Sequence, residues 1–330
     1  MSSTATRRRQ NTTVKIVAAV IGVPVIIGLM LFAFLAPNFS SGPQGVPIAV
    51  AGPEQMVKHM TDKAGEGGPD LRVYESDADV RDAIENRDVV GGLVITPSGA
   101  QTYTASGNGA AYTEMVNQLG KSFEAQGMEV ATEDLAPTSE EDPQANGIGL
   151  LGLPLAFGGI VSAVIATFVF RRRKWVKFVV LVGIAAGGSL VATWMLHTVY
   201  GTLIGKFGME WLAIALGILS TSLLTAGLAA VIGTAGVGIG AVLTIFLGNP
   251  LSGLATGPWL LPDGWATLGQ WMPIGATGYL VRSLSYFDGQ GAGHAWWVFA
   301  AWIAVGFALL MWDRSASATE SSASQVSAES

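Results

Sequence analysis

The sequence predicts an α-helical integral membrane protein with about six transmembrane helices and a small extracytoplasmic α/β domain between helices 1 and 2. Half of the 330 residues are hydrophobic, only 13% are charged, and the mean hydropathy is +0.46. Long uncharged stretches alternate with polar ones. Residues 38–146 contain 18 acidic and 6 basic side chains, whereas the remainder contains 6 and 12. This uneven charge indicates that the two parts face different compartments.

The first apolar stretch, residues 16–36, follows a basic segment, residues 1–15. About 21 residues at about 1.5 Å each reach about 30 Å, the thickness of the hydrocarbon core. A signal peptide also begins with basic residues, but its apolar region usually has about 7–15 residues and ends at a small-residue cleavage site. Because the stretch is longer and no such site follows Ala36, we predict an uncleaved anchor with a cytoplasmic N-terminus.

Residues 37–146 are polar, acidic and turn-rich, which predicts a domain outside the membrane. Ser76 followed by Asp79 is typical of a helix cap, and residues 97–99 are typical of a hairpin turn. An acidic linker at 129–146 is expected to lead to the membrane. The other predicted elements are strands at 46–50, 71–74, 91–95 and 101–104, and helices that begin near 53, 76 and 110.

Five further apolar stretches predict the rest of the membrane domain, residues 147–312. They cover 148–170, 178–197, 211–232, 237–255 and 295–312. A turn at 233–236 separates the third and fourth of these. Residues 257–293 are too rich in Pro, Gly and Trp to cross and are expected on the outer side. The polar tail, 313–330, is expected to be disordered and cytoplasmic.

A basic run at 171–177 orients the chain, because Lys and Arg beside transmembrane helices are retained in the cytoplasm. Its charged core is Arg171, Arg172, Arg173 and Lys174. Of the 12 basic residues outside the acidic domain, all except Lys206 and Arg282 then lie on the cytoplasmic side. We therefore predict a multi-pass protein of the cytoplasmic membrane, with both termini inside and residues 37–146 outside.

No catalytic grouping or metal-ligand spacing is visible, so we expect no enzyme, no cofactor, no metal site and no nucleic-acid partner. The motif G-x-G-x-x-G at 147–152 lacks a preceding strand and is read as the start of a helix. Glycines four residues apart are expected to let helix backbones approach each other closely. These pairs are Gly183 with Gly187, Gly236 with Gly240, and Gly253 with Gly257.

No Asp, Glu, Lys or Arg falls inside a predicted span, and Lys206 and Glu210 are placed in a short outer loop. Ion-coupled transporters usually carry an ionisable residue near the middle of the bilayer. A transport function would therefore draw its energy from a partner.

The outer segment contains three residues of interest, Pro273, Arg282 and Asp288, which we treat as a candidate gate. Residues 274–287 predict a short interfacial helix facing lipid or the helix bundle. On such a helix, Arg282 would either extend to the lipid headgroups or gate an outer vestibule.

Several motifs and their order resemble a known family. Residues 77–95 look like a helix-then-strand element that follows a first anchor. The sequence before the last span contains Leu261-Pro262-Asp263-Gly264, Met272-Pro273-Ile274-Gly275-Ala276, Arg282 and Tyr286-Phe287-Asp288-Gly289. With one anchor, an external α/β domain and five further spans, this arrangement resembles the ABC-2-type permease superfamily, in particular its phage-infection-protein-like (Pip-like) and SNG1-like branches.

The resemblance implies a permease subunit in the lipid bilayer that pairs with itself or a sibling and with a separate cytoplasmic ATPase. It would export lipophilic compounds, lipids or envelope material. The basic run Arg171 to Lys174 would be the surface where an ATPase docks. The alternative hypothesis is a non-transporting envelope protein whose acidic external domain binds a partner or assists surface assembly.

Overall fold

The structure is a computed structural model, and it describes residues 20–22, 24–32, 34–35, 45–65, 67–170, 173–262 and 264–312. The expectations for the basic N-terminal segment, 1–15, and for the C-terminal tail, 313–330, concern residues outside these ranges.

A five-stranded mixed sheet forms the centre of the α/β domain, with strand order β2-β1-β3-β4-β5. The β3–β4 hairpin is antiparallel, and all other neighbouring strands are parallel. The hairpin turns at the predicted Pro97-Ser98-Gly99. The strands are β1 (Pro47–Ala51), β2 (Asp70–Val73), β3 (Gly92–Thr96), β4 (Gly99–Thr104) and β5 (Val130–Asp134).

Helices cover both faces of this sheet. Helices α2 (Glu54–Ala64) and α4 (Ala110–Glu124) supply Val57 and Phe123 to one face. Helix α3 (Asp77–Glu85) covers the other face. Its N-cap is the predicted one, because the Ser76 hydroxyl accepts a hydrogen bond from the Asp79 N–H at 3.2 Å. A preceding helix, α1 (Val20–Phe32), belongs to the first apolar stretch.

The prediction of an acidic linker at 129–146 was wrong for its first part, which forms β5. The β5 side chains are mostly exposed, so the strand has no alternating apolar pattern that a sequence could reveal. Its backbone pairs with β4 from Ala100 to Thr104 instead.

Among the described residues, five helices are long and apolar enough to cross a membrane: Asn146–Val169, Lys174–Val199, Phe207–Ile232, Thr234–Leu251 and Gly293–Met311. Within the same residues, α1 is shorter than these five. The first three spans contain α5 (Asn146–Gly149) with α6 (Gly152–Val169), α7 (Lys174–Trp194) with a π-helical turn, and α8 (Phe207–Ile232). The fourth contains α9 (Thr234–Ala241), a π-helical segment and α10 (Asn249–Leu251). Two shorter helices follow, α11 (Trp265–Gln270) and α12 (Pro273–Tyr286), and the fifth span is α13 (Gly293–Met311). The protein is thus a multi-span helical protein with a small α/β domain.

Helix α8 is the centre of the helical domain. It packs against α6, α7, α9, α12 and α13. In its most apolar 18-residue window 67% of the residues are buried, against 22% in the span that contains α7. The exposed apolar side chains of the outer helices suit contact with lipid, because lipid tails are as apolar as these side chains.

All five spans begin before the predicted residue, and two of them differ most. The span expected from 178 begins at Lys174, and the span expected from 211 begins at Phe207. An apolar window excludes charged residues, whereas a helix backbone continues through a polar first turn. Glu210 therefore lies in the first turn of α8 and not in a loop.

The expected glycine contacts are only partly present. A side-chain carbon added at Gly183 or Gly187 would meet nothing within 4 Å, so this pair mediates no contact. At Gly240 it would lie 2.5 Å from the Thr225 hydroxyl oxygen, which is a close helix contact. The contact between α8 and α13 was not predicted. An added carbon at Gly306 of α13 would lie 2.6 Å from the carbonyl carbon of Leu223.

Candidate functional site at the buried domain interface

The described part of the basic run, from Arg173 onward, lies at the end of the helical domain away from the sheet. Arg171 and Arg172 fall outside the described residues. Arg173 is the N-cap of α7 and Lys174 is its first residue. The Lys174 ammonium donates a hydrogen bond to the carbonyl of Met311 at 2.8 Å, at the end of α13. A cation at a helix C-terminus stabilises the carbonyls that have no partner in the helix.

The three residues of the candidate gate do not form one site. Pro273 begins α12 and is buried, and Arg282 lies on the same helix. Asp288 is exposed in the turn after α12, with a positive φ of 49°. The structure thus brings Pro273 and Arg282 onto one buried helix and leaves Asp288 at the surface.

Arg282 joins the α/β domain to the helices. Its side chain is only 9% exposed. One terminal nitrogen, Nη1, donates to the carbonyl of Gly107, which lies in a 3-10 turn of the α/β domain, at 3.0 Å. The other, Nη2, donates to the carbonyl of Leu254, after α10, at 3.0 Å. The expected contact of Arg282 with lipid headgroups was therefore wrong, because both terminal nitrogens are engaged inside the protein.

A second arginine, Arg87, enters the same interface from the α/β domain. It follows the C-cap of α3 in a left-handed conformation, with φ of 64°. Its Nη1 donates to the carbonyl of Tyr279 on α12 at 2.9 Å. The guanidinium also lies over the ring of Tyr279, 3.8 Å from the centroid, and over that of Phe287 at 4.8 Å. Such contacts with aromatic faces stabilise a cation.

The sequence contains little to identify Arg87 in advance. It follows a helix among charged residues, where a solvated arginine is the ordinary expectation. A bulky residue in a left-handed conformation is uncommon, but the conformation is visible only in the structure. Its partners on α12 are also far away in the sequence.

Tyrosine hydroxyls complete the interface. The Tyr112 hydroxyl, on α4, accepts a hydrogen bond from the Trp259 N–H at 2.9 Å. The Tyr286 hydroxyl, on α12, donates to the carbonyl of Thr202 at 2.6 Å. Gly107 allows this fit, because an added carbon there would lie 2.4 Å from the Cβ of Tyr286. The domain and the helices are therefore joined by directed polar contacts.

Burial changes the pKa of both arginines. Burial, with a smaller contribution from the positive charge of Arg282, lowers the pKa of Arg87 to about 10. Burial also lowers the pKa of Arg282. Both shifts follow from removing a cation from water, which costs free energy unless the cation is compensated.

A buried carboxylate lies at the same end of the helical domain. Glu210 is fully buried in α8. Its Oε1 accepts hydrogen bonds from the Gly205 N–H at 2.9 Å and from the Ser285 hydroxyl at 2.5 Å. Its Oε2 has no hydrogen-bond partner among the described residues and lies 3.7 Å from Nε2 of His197. The prediction that no acidic side chain lies within a span was thus wrong at this position.

The α/β domain also has an apolar pocket of about 460 Å³ between α2 and α4. Its walls include Met56, Met60 and Phe123, and its rim includes His59 and Lys63. Flexible methionine side chains suit binding of apolar groups of varied shape.

Within the described ranges no group of three or more His, Asp or Glu side chains is placed to hold a metal ion. Searches of known proteins found no matching family model, no matching curated protein and no matching solved structure.

Proposed function

We propose that this chain is an export permease subunit of the ABC-2-like type without its own ATPase. It moves lipophilic compounds, lipids or envelope material across the cytoplasmic membrane, with the α/β domain outside and both termini in the cytoplasm. The observation that supports this most is the link that Arg282 makes between the α/β domain and the membrane helices.

This link lies on a short path from the membrane to the external domain. Helix α12 packs against α8, which packs against four of the other helices. Arg282 and Arg87 connect α12 with Gly107 and α3 of the α/β domain. A change in the packing of α8 would therefore move the external domain, as a transporter that hands substrate outward requires.

The position of Glu210 favours an external energy source. Its carboxylate is in the first turn of α8 and is held by two hydrogen bonds. Ion-coupled carriers place such groups near the middle of the bilayer, where both sides can reach them. A separate cytoplasmic ATPase, docking on the basic run from Arg171 to Lys174, is the energy source we propose.

Copurification in mild detergent tests this function. We expect an ATPase to copurify with the chain and its activity to depend on the chain. Replacing Arg171, Arg172, Arg173 and Lys174 with Gln should release the ATPase and abolish efflux, whereas Lys206→Gln should not. A preparation that contains no ATPase in several detergents would contradict the proposal.

A second candidate function is supported by the apolar pocket between α2 and α4. In this hypothesis the chain transports nothing, and its external domain binds an apolar part of an envelope component. Met60→Lys would then abolish surface binding and leave efflux unchanged, with the exposed Glu54→Lys as the control. Loss of efflux in Met60→Lys would favour the permease.

A further inference from the structure

The two buried arginines line one small cavity between the α/β domain and α12. The cavity has a volume of about 80 Å³ and is lined by Arg87, Asn108, Tyr112, Gln270 and Arg282 among others. A single water needs roughly 10–15 Å³ of such space. The cavity is therefore large enough for several waters or for one small oxyanion.

The charge of this cavity is not balanced within the described part of the chain. Neither Arg87 nor Arg282 has a carboxylate within ion-pair distance there. The carboxylate whose negative charge acts on Arg282 is that of Asp142. This carboxylate already accepts hydrogen bonds from the Thr202 hydroxyl and from the Asn146 and Gly147 N–H groups. Two buried cations that line one cavity are costly unless an anion compensates them.

Two residues that line the cavity carry hydrogen-bond donors that remain free among the described residues. Nε of Arg87 is buried and has no hydrogen-bond partner in this part of the chain. The Tyr112 hydroxyl oxygen accepts from the Trp259 N–H, so its own hydrogen remains available. Buried donors are almost always satisfied in native proteins, and one without a partner calls for an explanation such as an unseen ion or water.

One hydrogen-bond acceptor in the lining indicates which anion would fit the cavity. Gln270 donates through Nε2 to the Ser252 carbonyl at 2.9 Å, which fixes the orientation of its amide. Its Oε1 is buried and has no hydrogen-bond partner among the residues that the structure describes. An acceptor of this kind suits an anion that carries its own O–H, because that group can donate to it. Hydrogen phosphate has such a group at neutral pH, whereas sulfate and chloride have none.

The backbone of Arg87 adopts an unfavourable conformation. A helix C-terminus in the left-handed conformation usually has Gly or Asn, because other residues are strained there. Arg87 holds this conformation with φ of 64°. Its guanidinium therefore reaches the interface from a strained backbone position, which glycine would occupy without strain.

We propose that this cavity binds a protonated phosphate group, held by Arg87, Arg282 and the Tyr112 hydroxyl, with the Oε1 atom of Gln270 accepting a hydrogen bond from the phosphate O–H. The site stabilises the contact between the α/β domain and α12 and is independent of any transport function. Free inorganic phosphate and the headgroup of phosphatidic acid are the two sources of such a group at this position.

Thermal unfolding of the full-length chain tests the proposal. The purified protein, in phosphate-free detergent buffer, is titrated with sodium phosphate or sodium sulfate at equal ionic strength. In a second arm, nanodiscs with and without phosphatidic acid are compared. We expect a saturable rise in Tm with one of the two phosphate sources, and an apparent affinity for sulfate at least about tenfold weaker.

Two variants make the test specific. Arg87→Gly removes the guanidinium and relieves the backbone, so the protein should fold but lose the response to phosphate. Gln270→Glu loses the hydrogen bond to the Ser252 carbonyl but supplies an internal carboxylate, which should abolish the response to phosphate. Lys121→Ala, at an exposed position of α4, should respond like the wild type.

Three outcomes would overturn the proposal. The first is no rise in Tm with either phosphate source. The second is an equal rise with phosphate and sulfate, which would indicate a general salt effect. The third is a full phosphate response in Gln270→Glu, which would place the binding elsewhere.

Discussion

The two ends of the helical domain are held together by different interactions. At the end that carries the sheet, buried polar groups join segments that are distant in sequence, as Arg282 does with Gly107. At the opposite end, helices approach through their backbones, as α13 does at Gly306. Directed hydrogen bonds specify one orientation between a domain and a bundle, whereas small residues allow close packing in a medium where apolar burial gives little driving force.

Arg282→Ala should have the largest effect. It removes two hydrogen bonds from a charged group, each worth about 1.5–3 kcal/mol, and leaves the carbonyls of Gly107 and Leu254 without this donor. We expect a loss of about 3 kcal/mol in unfolding free energy and faster proteolysis of the α/β domain. The exposed Lys206→Ala, at the same end, is the control. Equal stability of the two variants would show that the polar interface does not hold the domain.

Gly306→Ala should have the second-largest effect on stability. Alanine normally favours a helix over glycine by about 1 kcal/mol, but here the added carbon would lie 2.6 Å from the carbonyl carbon of Leu223. We expect a net loss of about 2 kcal/mol, because α13 must move away from α8. Gly183→Ala, where an added carbon meets nothing within 4 Å, should be neutral or slightly stabilising. Thermal unfolding of Gly306→Ala and Gly183→Ala in one common detergent measures the difference in their stability.

Tyr286→Phe should lower the unfolding free energy by a smaller amount. The change removes one hydrogen bond to the Thr202 carbonyl and leaves the packing of the ring unchanged. A single neutral hydrogen bond contributes about 1 kcal/mol net, so we expect a decrease of that size in unfolding free energy. Tyr200→Phe, which alters an exposed tyrosine, should have no effect. A similar decrease in both variants would contradict the role of the buried hydroxyl.

Lys174→Met should have the smallest effect of the four. A cation at a helix C-terminus contributes roughly 0.3–1 kcal/mol, and the ammonium of Lys174 makes one contact, with the Met311 carbonyl. We expect a loss of about 0.5 kcal/mol, measured by urea-dependent unfolding. A loss as large as that of Arg282→Ala would mean that both ends depend on buried polar contacts.

The sequence predicted much of the fold because the signals were local. The hairpin turn at 97–99 and the cap at Ser76 involve residues within a few positions of each other. The apolar stretches were recognised from length alone. β5 was missed because its exposed side chains have no apolar pattern, and its partner β4 is identified only by backbone pairing.

The candidate site was harder to predict. Pro273 and Arg282 were singled out, but the outward orientation expected for Arg282 was wrong. A helix with one arginine among apolar residues looks interfacial in sequence, and only its position against α8 and the α/β domain shows that it is buried. Arg87 and Glu210 were not singled out, because their partners Tyr279 and Ser285 are on a distant helix.

The sequence by itself determined that this chain has long membrane helices and a separate acidic α/β domain, because hydrophobic length and charge are properties of contiguous residues. Only the tertiary structure decided which charges are buried and what they contact. Burial of Arg87, Arg282 and Glu210 depends on segments that meet in space and not in sequence, and the free energy of a buried charge depends on those neighbours.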